Sequence, residues 1–173
     1  MEYTVLDENN EASGLLEMRI CNGDLSKIMN VDWMPGGIQF FEKQLPANNI
    51  YPIAVLDWVE TNSKKQNQGI GFNAIRAFRV MAEEHGARLG LLRVGTGGPD
   101  DDLESALRWR QRFYERDSWI RLENPPVSGL VVFWMYNLLR PIQPEERALR
   151  SRLVEKPTKG DSEWLISSVA VRG

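Results

Sequence analysis

The 173-residue chain has one cysteine, Cys21, and one histidine, His85. A lone cysteine excludes an intrachain disulfide, and one thiol with one imidazole falls short of a zinc ligand set, so no metal is expected. Long hydrophobic runs are also missing: Arg, Asp or Gly breaks every apolar segment before the roughly 18 residues that span a bilayer. The opening residues "MEYTVLDENNEASG" hold neither a basic stretch nor the apolar core of a secretory signal, so a cytoplasmic protein without membrane association is expected. Nor is there an excess of positive charge. Lys and Arg number 21 against 24 Asp and Glu, giving a net charge of −3 and a pI near 5.3. A surface of that balance has no general affinity for phosphodiester backbones, which disfavours nucleic acid and mildly favours a cationic small molecule. What is abundant is apolar side chain: 42% of residues, enough for one sizeable core at this length.

The middle of the chain is the most legible. "YPIAVLDWVET", 51 to 61, is rich in Ile, Val and Trp without helical spacing and reads as a strand buried on both faces in its central part. The polar loop "KKQNQGIG" follows it. A helix comes next, with Ala74, Ile75, Phe78, Met81, Ala82 and His85 at helical intervals and Gly86 placed to end it. "ARLGLLRVG" is a second strand, expected to lie parallel to the first because a helix separates them. Past "GTGGPDDD", Asp101 and Glu104 resemble a capping box opening a helix with Leu103, Ala106, Leu107, Arg110, Phe113 and Tyr114 on one side. "SWIRLEN" and "GLVVFWMYNLL" then read as an antiparallel hairpin, completing the order β-α-β-α-β-β. Before this unit lie a strand in "TVLDE", an apolar "GLLEMRI" and a loop at "DWMPGG". After it, residues 141–173 read as a charged extension of a 1–140 domain, with a short helix at 144 to 154 and a strand-like "WLISSVAV".

A loop between a buried strand and a helix leaves the first helical N–H groups unpaired, and the helix dipole adds partial positive charge there. Glycines at 69 and 71 would let an anion approach the backbone, and Gln66, Asn67 and Gln68 add side-chain donors. Neither the dinucleotide pattern G-x-G-x-x-G nor the triphosphate pattern G-x-x-x-x-G-K-[ST] is present.

What is present is Q-x-x-G-x-G, Gln66 to Gly71, and with it "FYERDSW", Phe113 to Trp119. On these two motifs the sequence resembles the GNAT superfamily of acetyl-CoA-dependent N-acetyltransferases over roughly residues 51–137. The first is similar to the family's pyrophosphate loop and the second to its hydrophobic-Tyr-Glu-Lys-x-Gly-Phe. Ser118 stands where the family has Gly, Trp119 where it has Phe, and Leu107 and Arg110 where Asn and Ala are common. The resemblance implies a mixed α/β (α+β) fold: a mainly antiparallel sheet around a central β-α-β unit, helices on both faces. It implies acetyl-CoA as cosubstrate, held by backbone at Gly69, Ile70 and Gly71, by Gln66, Asn67 and Gln68, and by the free edge of the strand before the loop at Val59 and Thr61. In the family that strand splays from its neighbour, and the glycines from Gly95 to Gly98 would permit such a divergence here.

Acetyl transfer to an amine needs a group to accept the ammonium proton, polarisation of the thioester carbonyl, and a proton for the departing thiolate. Tyr114 matches the family's general acid. For the base, Asp57 matches a strand position the family uses, with Glu60 in reserve; the plainer reading of both is a strand-end carboxylate, hydrated or ion-paired. Simple alternation places Val55, Asp57, Val59 and Thr61 on one face of the strand and Trp58 and Glu60 on the other. Arg108, Arg112 and Arg116 form a helix stripe that could meet a coenzyme phosphate, the favoured reading being a solvated face in which Glu104 pairs with Arg108, and Trp33, Phe40 and Phe41 are candidates for an acceptor pocket, core or oligomer contacts. His85, next to a capping glycine, is expected to be structural. Two functions are carried forward: an N-acetyltransferase acting on a small-molecule or protein amine, with a homodimer as one option, and a GNAT-like domain that binds acyl-CoA or a protein partner without turnover.

Overall fold

The computed structural model describes residues 1–29, 37–46, 50–65, 68–95, 103–124 and 133–156. Seven strands form one sheet in the order β5-β6-β4-β3-β2-β1-β7. In chain order they are β1 (Glu2–Leu6), β2 (Ala12–Cys21), β3 (Ile53–Thr61), β4 (Leu89–Val94), β5 (Ile120–Arg121), β6 (Phe133–Leu138) and β7 (Leu153–Glu155). Among the described residues only β3 and β4 pair in parallel, and every other neighbouring pair is antiparallel. The helices are α1 (Ser26–Met29), α2 (Gly37–Glu42), α3 (Ile70–Glu84), α4 (Leu103–Glu115) and α5 (Pro144–Arg147), the last running into a 3-10 turn at Ala148–Arg152. The expected β-α-β-α-β-β order is therefore β3-α3-β4-α4-β5-β6.

Both faces of the central strands are covered, which is why residues 53–56 show no polar alternation. Ala54 and Leu56 turn to the face where α3 lays down Ala74, Ile75, Phe78, Met81 and Ala82. Ile53 and Val55 turn to the other, beneath Ile28 and Met29 of α1 and Phe41 of α2. Removing a side chain such as Phe78, fully buried at this centre, would cost about 3–5 kcal/mol. Helix α3 stops where Gly86 takes φ +72° and the Ala87 N–H bonds the Ala82 carbonyl at 2.9 Å. His85 is exposed there and lies off the apolar stripe on which its spacing had placed it.

Residues 141–155 pack onto the same sheet. Strand β7 pairs with β1, from Tyr3↔Glu155 to Val5↔Leu153. The helix expected over 144 to 154 is interrupted for that reason: the open edge of β1 takes its last residues as a strand. Beneath α5, Glu146 lies 3.5 Å from Arg79 of α3, 3.3 Å from Arg76 and 3.1 Å from Arg140, and Arg79 reaches Asp117 at 2.9 Å. Arg79, Asp117 and Glu146 are all buried. The segments "DWMPGG", "GTGGPDDD" with Asp101, and "WLISSVAV" fall wholly or largely outside the described residues.

Candidate functional site

The parallel ladder between β3 and β4 is short. It runs from Ile53↔Leu89 to Leu56↔Leu92 and stops, although β3 continues to Thr61 alongside β2 and β4 continues to Val94 alongside β6. The sheet is split from that point. Met18 pairs with Leu56 and Glu17 with Trp58, so Asp57 is an extra, unopposed residue in β3. A bulge bends the strand that carries it and raises its twist, and the split begins at this same residue. The divergence thus starts before Gly95, and Gly97 and Gly98 lie outside the described residues.

The bulge also resets the alternation of β3. Val59 packs with the α3-side core, and Thr61 Oγ1 faces Gly71 of α3, whereas Asp57 lies with Val55 on the α1 side. Asp57 and Val59 are therefore on opposite faces, correcting the expectation from simple alternation. The backbone of β3 can be followed in the same way. The Asn62 N–H donates to the Ser13 carbonyl of the β1–β2 hairpin at 2.8 Å, so Glu60 also turns its N–H and C=O toward β2. Val59 and Thr61, one residue out of phase, present theirs to the open side. Among the described residues these groups have no backbone partner, and unpaired peptide groups on an interior strand are a binding edge.

At the end of β3 the chain enters the glycine loop. Lys65 ties it down, its Nζ 2.5 Å from Asp7 Oδ2 and 2.7 Å from Glu11 Oε2 of the β1–β2 turn. Gln66 and Asn67 lie outside the described residues; Gln68 and Gly69 are exposed. Gly69 precedes the helix with φ +76°, a conformation that favours glycine. Among the described residues no side chain caps α3 and no acidic residue sits in its first turn, so the N–H groups at its start are left to an anion. Ile70 is buried, leaving only its backbone for that purpose. At Gly71 a Cβ would lie 3.2 Å from Thr61 Oγ1 and 3.6 Å from the Phe113 ring, so β3, α3 and α4 converge there.

Tyr114, on α4, packs against the same core, its ring 5.3 Å from Phe113 and 6.2 Å from Trp119. Its hydroxyl makes no hydrogen bond with a described residue, and burial pushes its pKa up to about 12 against a smaller opposing pull from Arg110. Just beyond it, Ser118 holds φ +64°, a left-handed backbone that glycine adopts freely, and Trp119 is buried. Arg110 donates to the Gly95 carbonyl at the end of β4. Glu104 pairs with Arg108 at 3.2 Å as its spacing foretold, and Arg116 stands over the Phe72 ring.

On the opposite face the split opens into a cleft of about 480 Å³. Asp57 lies in its wall, with Oδ1 receiving Arg19 Nη2 at 3.0 Å and Nε at 3.1 Å. Glu60 is exposed and outside the cleft lining, and its carboxylate accepts from Trp58 Nε1 at 3.3 Å. Phe41 is core, and Trp33 lies outside the described residues. Arg19, Arg93 and Trp134 were not singled out in the sequence, although an arginine inside an otherwise apolar strand, as in "MRI" and "LLRV", is the signal that could have found two of them. Among the described residues no group of His, Cys, Asp and Glu could hold a metal ion, and no helix is long and apolar enough to cross a membrane.

No family model matches the chain, and no curated protein is similar to it in sequence. Solved structures do match. A NatC complex bound to Gag peptide and CoA aligns over 80% of this chain and 71% of its own at 13% identity, with a TM-score of 0.50. Naa20 of Chaetomium thermophilum in complex with a bisubstrate analogue aligns over 90% and 72% at 14% identity and a TM-score of 0.48. A GNAT family acetyltransferase of Listeria monocytogenes 4b F2365 aligns over 76% and 60% at 9% identity and a TM-score of 0.47. Identity this low speaks to architecture alone. A mixed, mainly antiparallel sheet split at its one parallel pair, with helices on both faces, is the fold of the GNAT acetyltransferases, and this chain has that fold.

Proposed function

We propose that the protein is an N-acetyltransferase that moves an acetyl group from acetyl-CoA to a primary amine by direct attack of the amine on the thioester. The observation that carries this is the split between β3 and β4, with unpaired peptide groups of Val59 and Thr61 on its edge, the uncapped start of α3 beside it, and Tyr114 on the same face. These parts fit acetyl-CoA. The N–H groups at Gly69, Ile70 and Gly71, with Gln66, Asn67 and Gln68, would hold the pyrophosphate, and the edge of β3 would hold the pantetheine amides. Bound acetyl-CoA supplies an activated acyl carbon.

The remaining chemistry belongs to side chains. Asp57 gives Oδ1 to Arg19, leaving Oδ2, which has no partner among the described residues, for the ammonium of the acceptor. Glu60, bonded to Trp58 away from the cleft, is the weaker candidate. Tyr114 Oη holds a proton at any working pH and gives it to the departing sulfur. The acceptor nitrogen gives up two protons in becoming an amide: one passes by way of Asp57 to solvent, and the other restores the Tyr114 phenol that protonated the sulfur, so the products are the acetylated amine, the free thiol and one proton.

The experiment is a panel of amine and peptide acceptors with acetyl-CoA, reading released thiol, beside calorimetric titration of acetyl-CoA. Acceptor-dependent thiol release that falls in Tyr114→Phe supports the proposal. Binding of acetyl-CoA without thiol release from any acceptor would give the site to a non-catalytic acyl-CoA binder instead.

A further inference from the structure

The cleft on the α1 face carries more positive charge than recognition of an amine requires. An ammonium is bound by carboxylates, carbonyl oxygens and aromatic faces, and Asp57 and Trp134 provide such groups. Yet Arg19, Lys27 and Arg93 line the same cleft. Two of these cations are matched: Arg19 by Asp57 at 3.0 Å and Lys27 by Asp24 at 3.6 Å. Arg93 is exposed and has no ion pair or hydrogen bond with a described residue.

Its position is specific. Leu56↔Leu92 is the last rung of the parallel ladder, so Asp57 and Arg93 are the first residues past it, one on each lip of the split. Both turn to the α1 side, Arg93 in register with the buried Trp134 on β6. An amine brought to this opening would have a carboxylate on one side and an unspent guanidinium on the other. A guanidinium presents a planar fork of donors that matches one carboxylate bidentately, and a single unmatched positive charge asks for a single negative one. Behind the two lips Ile28, Met29 and Val55 add apolar surface to a lining that is otherwise mostly polar, with Ser26 beside them, in a volume suited to a small polar ligand.

We infer that the acceptor is an amine carrying its own carboxylate, bound with the carboxylate on Arg93 and the amino group toward Asp57 at the mouth of the split. This rests on the acetyltransferase reading of the same site. The chemistry has two sources: a free amino acid, and a peptide whose first residues are acidic. The net charge of −3 pointed toward a cationic acceptor, but the groups facing the cleft, not the sum over the surface, set the field a ligand meets there.

The test uses the full chain, wild type and Arg93→Ala, with folding checked by thermal unfolding. Acceptors come in pairs differing only in the carboxylate: amino acids against their decarboxylated amines, and peptides beginning with Asp or Glu against the same peptides with Asn or Gln. The wild type should prefer the carboxylated member by about tenfold or more in kcat/KM, mainly through KM, and the preference should fall to near unity in Arg93→Ala. A preference among free amino acids alone identifies that source, and one among peptides alone identifies the other; both support the inference. It is overturned if the wild type uses both members equally or if the preference survives in the variant. Should no acceptor release thiol, the acetyltransferase reading fails by itself, and calorimetric titration of the same carboxylated amines decides the Arg93 site. Binding about tenfold weaker in Arg93→Ala supports it, and absent or equal binding overturns it.

Discussion

Tyr114 is the residue on which enzyme and binder part company. Burial lifts its hydroxyl to about 12, so the phenol remains protonated across the range in which an enzyme can be assayed. A tyrosine of ordinary pKa, near 10, would begin to lose its proton within that range and with it the capacity to act as an acid. The kcat/KM profile should therefore rise with deprotonation of the acceptor amine and show no falling limb from Tyr114 up to about pH 10.5, well below the raised value. A limb descending near pH 10 that disappears in Tyr114→Phe would contradict this. The same variant should lower turnover by about 10²-fold, while stability changes by less than about 1 kcal/mol because no described hydrogen bond is lost with the hydroxyl. Ser118 offers a separate check. A serine at φ +64° bears a left-handed backbone that glycine adopts freely, so Ser118→Gly should raise stability by about 0.5–1 kcal/mol, read from the urea midpoint.

Among the elements, β3 and the start of α3 make the site, and the sequence disclosed them unequally. The apolar run 53–56, the glycines 69 and 71 and the stripe of α3 follow from periodicity and turn chemistry, which are local properties. The bulge at Asp57 does not, because it is set by the register of β2 against β3, a relation between residues some 40 apart in the chain. Once present it sends Val59 and Thr61 to one side and Asp57 to the other, so the proposed acid and base sit on opposite faces of the split sheet. Arg93 and Lys65 were missed for the same reason: one matters by standing across the split from Asp57, the other by reaching Asp7 and Glu11. At Gly71 the crowding by Thr61 and Phe113 and the charge of a carboxylate act together. Gly71→Glu should abolish measurable acetyl-CoA binding by calorimetry while the circular dichroism of the folded protein persists. Undiminished affinity in a folded variant would remove the coenzyme from this loop.

For the whole molecule, buried ions tie α3 to the end of α4 and to the C-terminal segment, through Arg79, Asp117 and Glu146. Burial raises the Asp117 carboxyl despite Arg79 beside it, while the Gln143 N–H and Arg79, Arg76 and Arg140 lower that of Glu146 against its own burial. Arg79 is the shared cation, with Asp117 at 2.9 Å and Glu146 at 3.5 Å. A buried ion set is poor evidence of net stability, but removing Arg79 leaves Asp117 buried without its cation, whereas Glu146 keeps Arg76 and Arg140. Arg79→Met should therefore cost about 3–5 kcal/mol at pH 7 in urea unfolding. The sign of its pH dependence follows from the same charges. Asp117 is already raised above its unfolded value and loses its main lowering partner with the cation, so the penalty is fully present well above its folded pKa and is relieved as pH falls through it, while Glu146 keeps Arg76 and Arg140. The difference between wild type and Arg79→Met should thus narrow as the pH is lowered from 7. Truncation after Arg140 removes Glu146 along with β7, leaves Arg79 only Asp117, and opens the edge of β1. It should destabilise the remaining domain and promote self-association through that edge, detectable by light scattering, whereas Arg79→Met in the full chain should weaken the fold and remain monodisperse. A truncated chain as stable and as monodisperse as the full one would show that residues 141–155 are dispensable to the domain they cover.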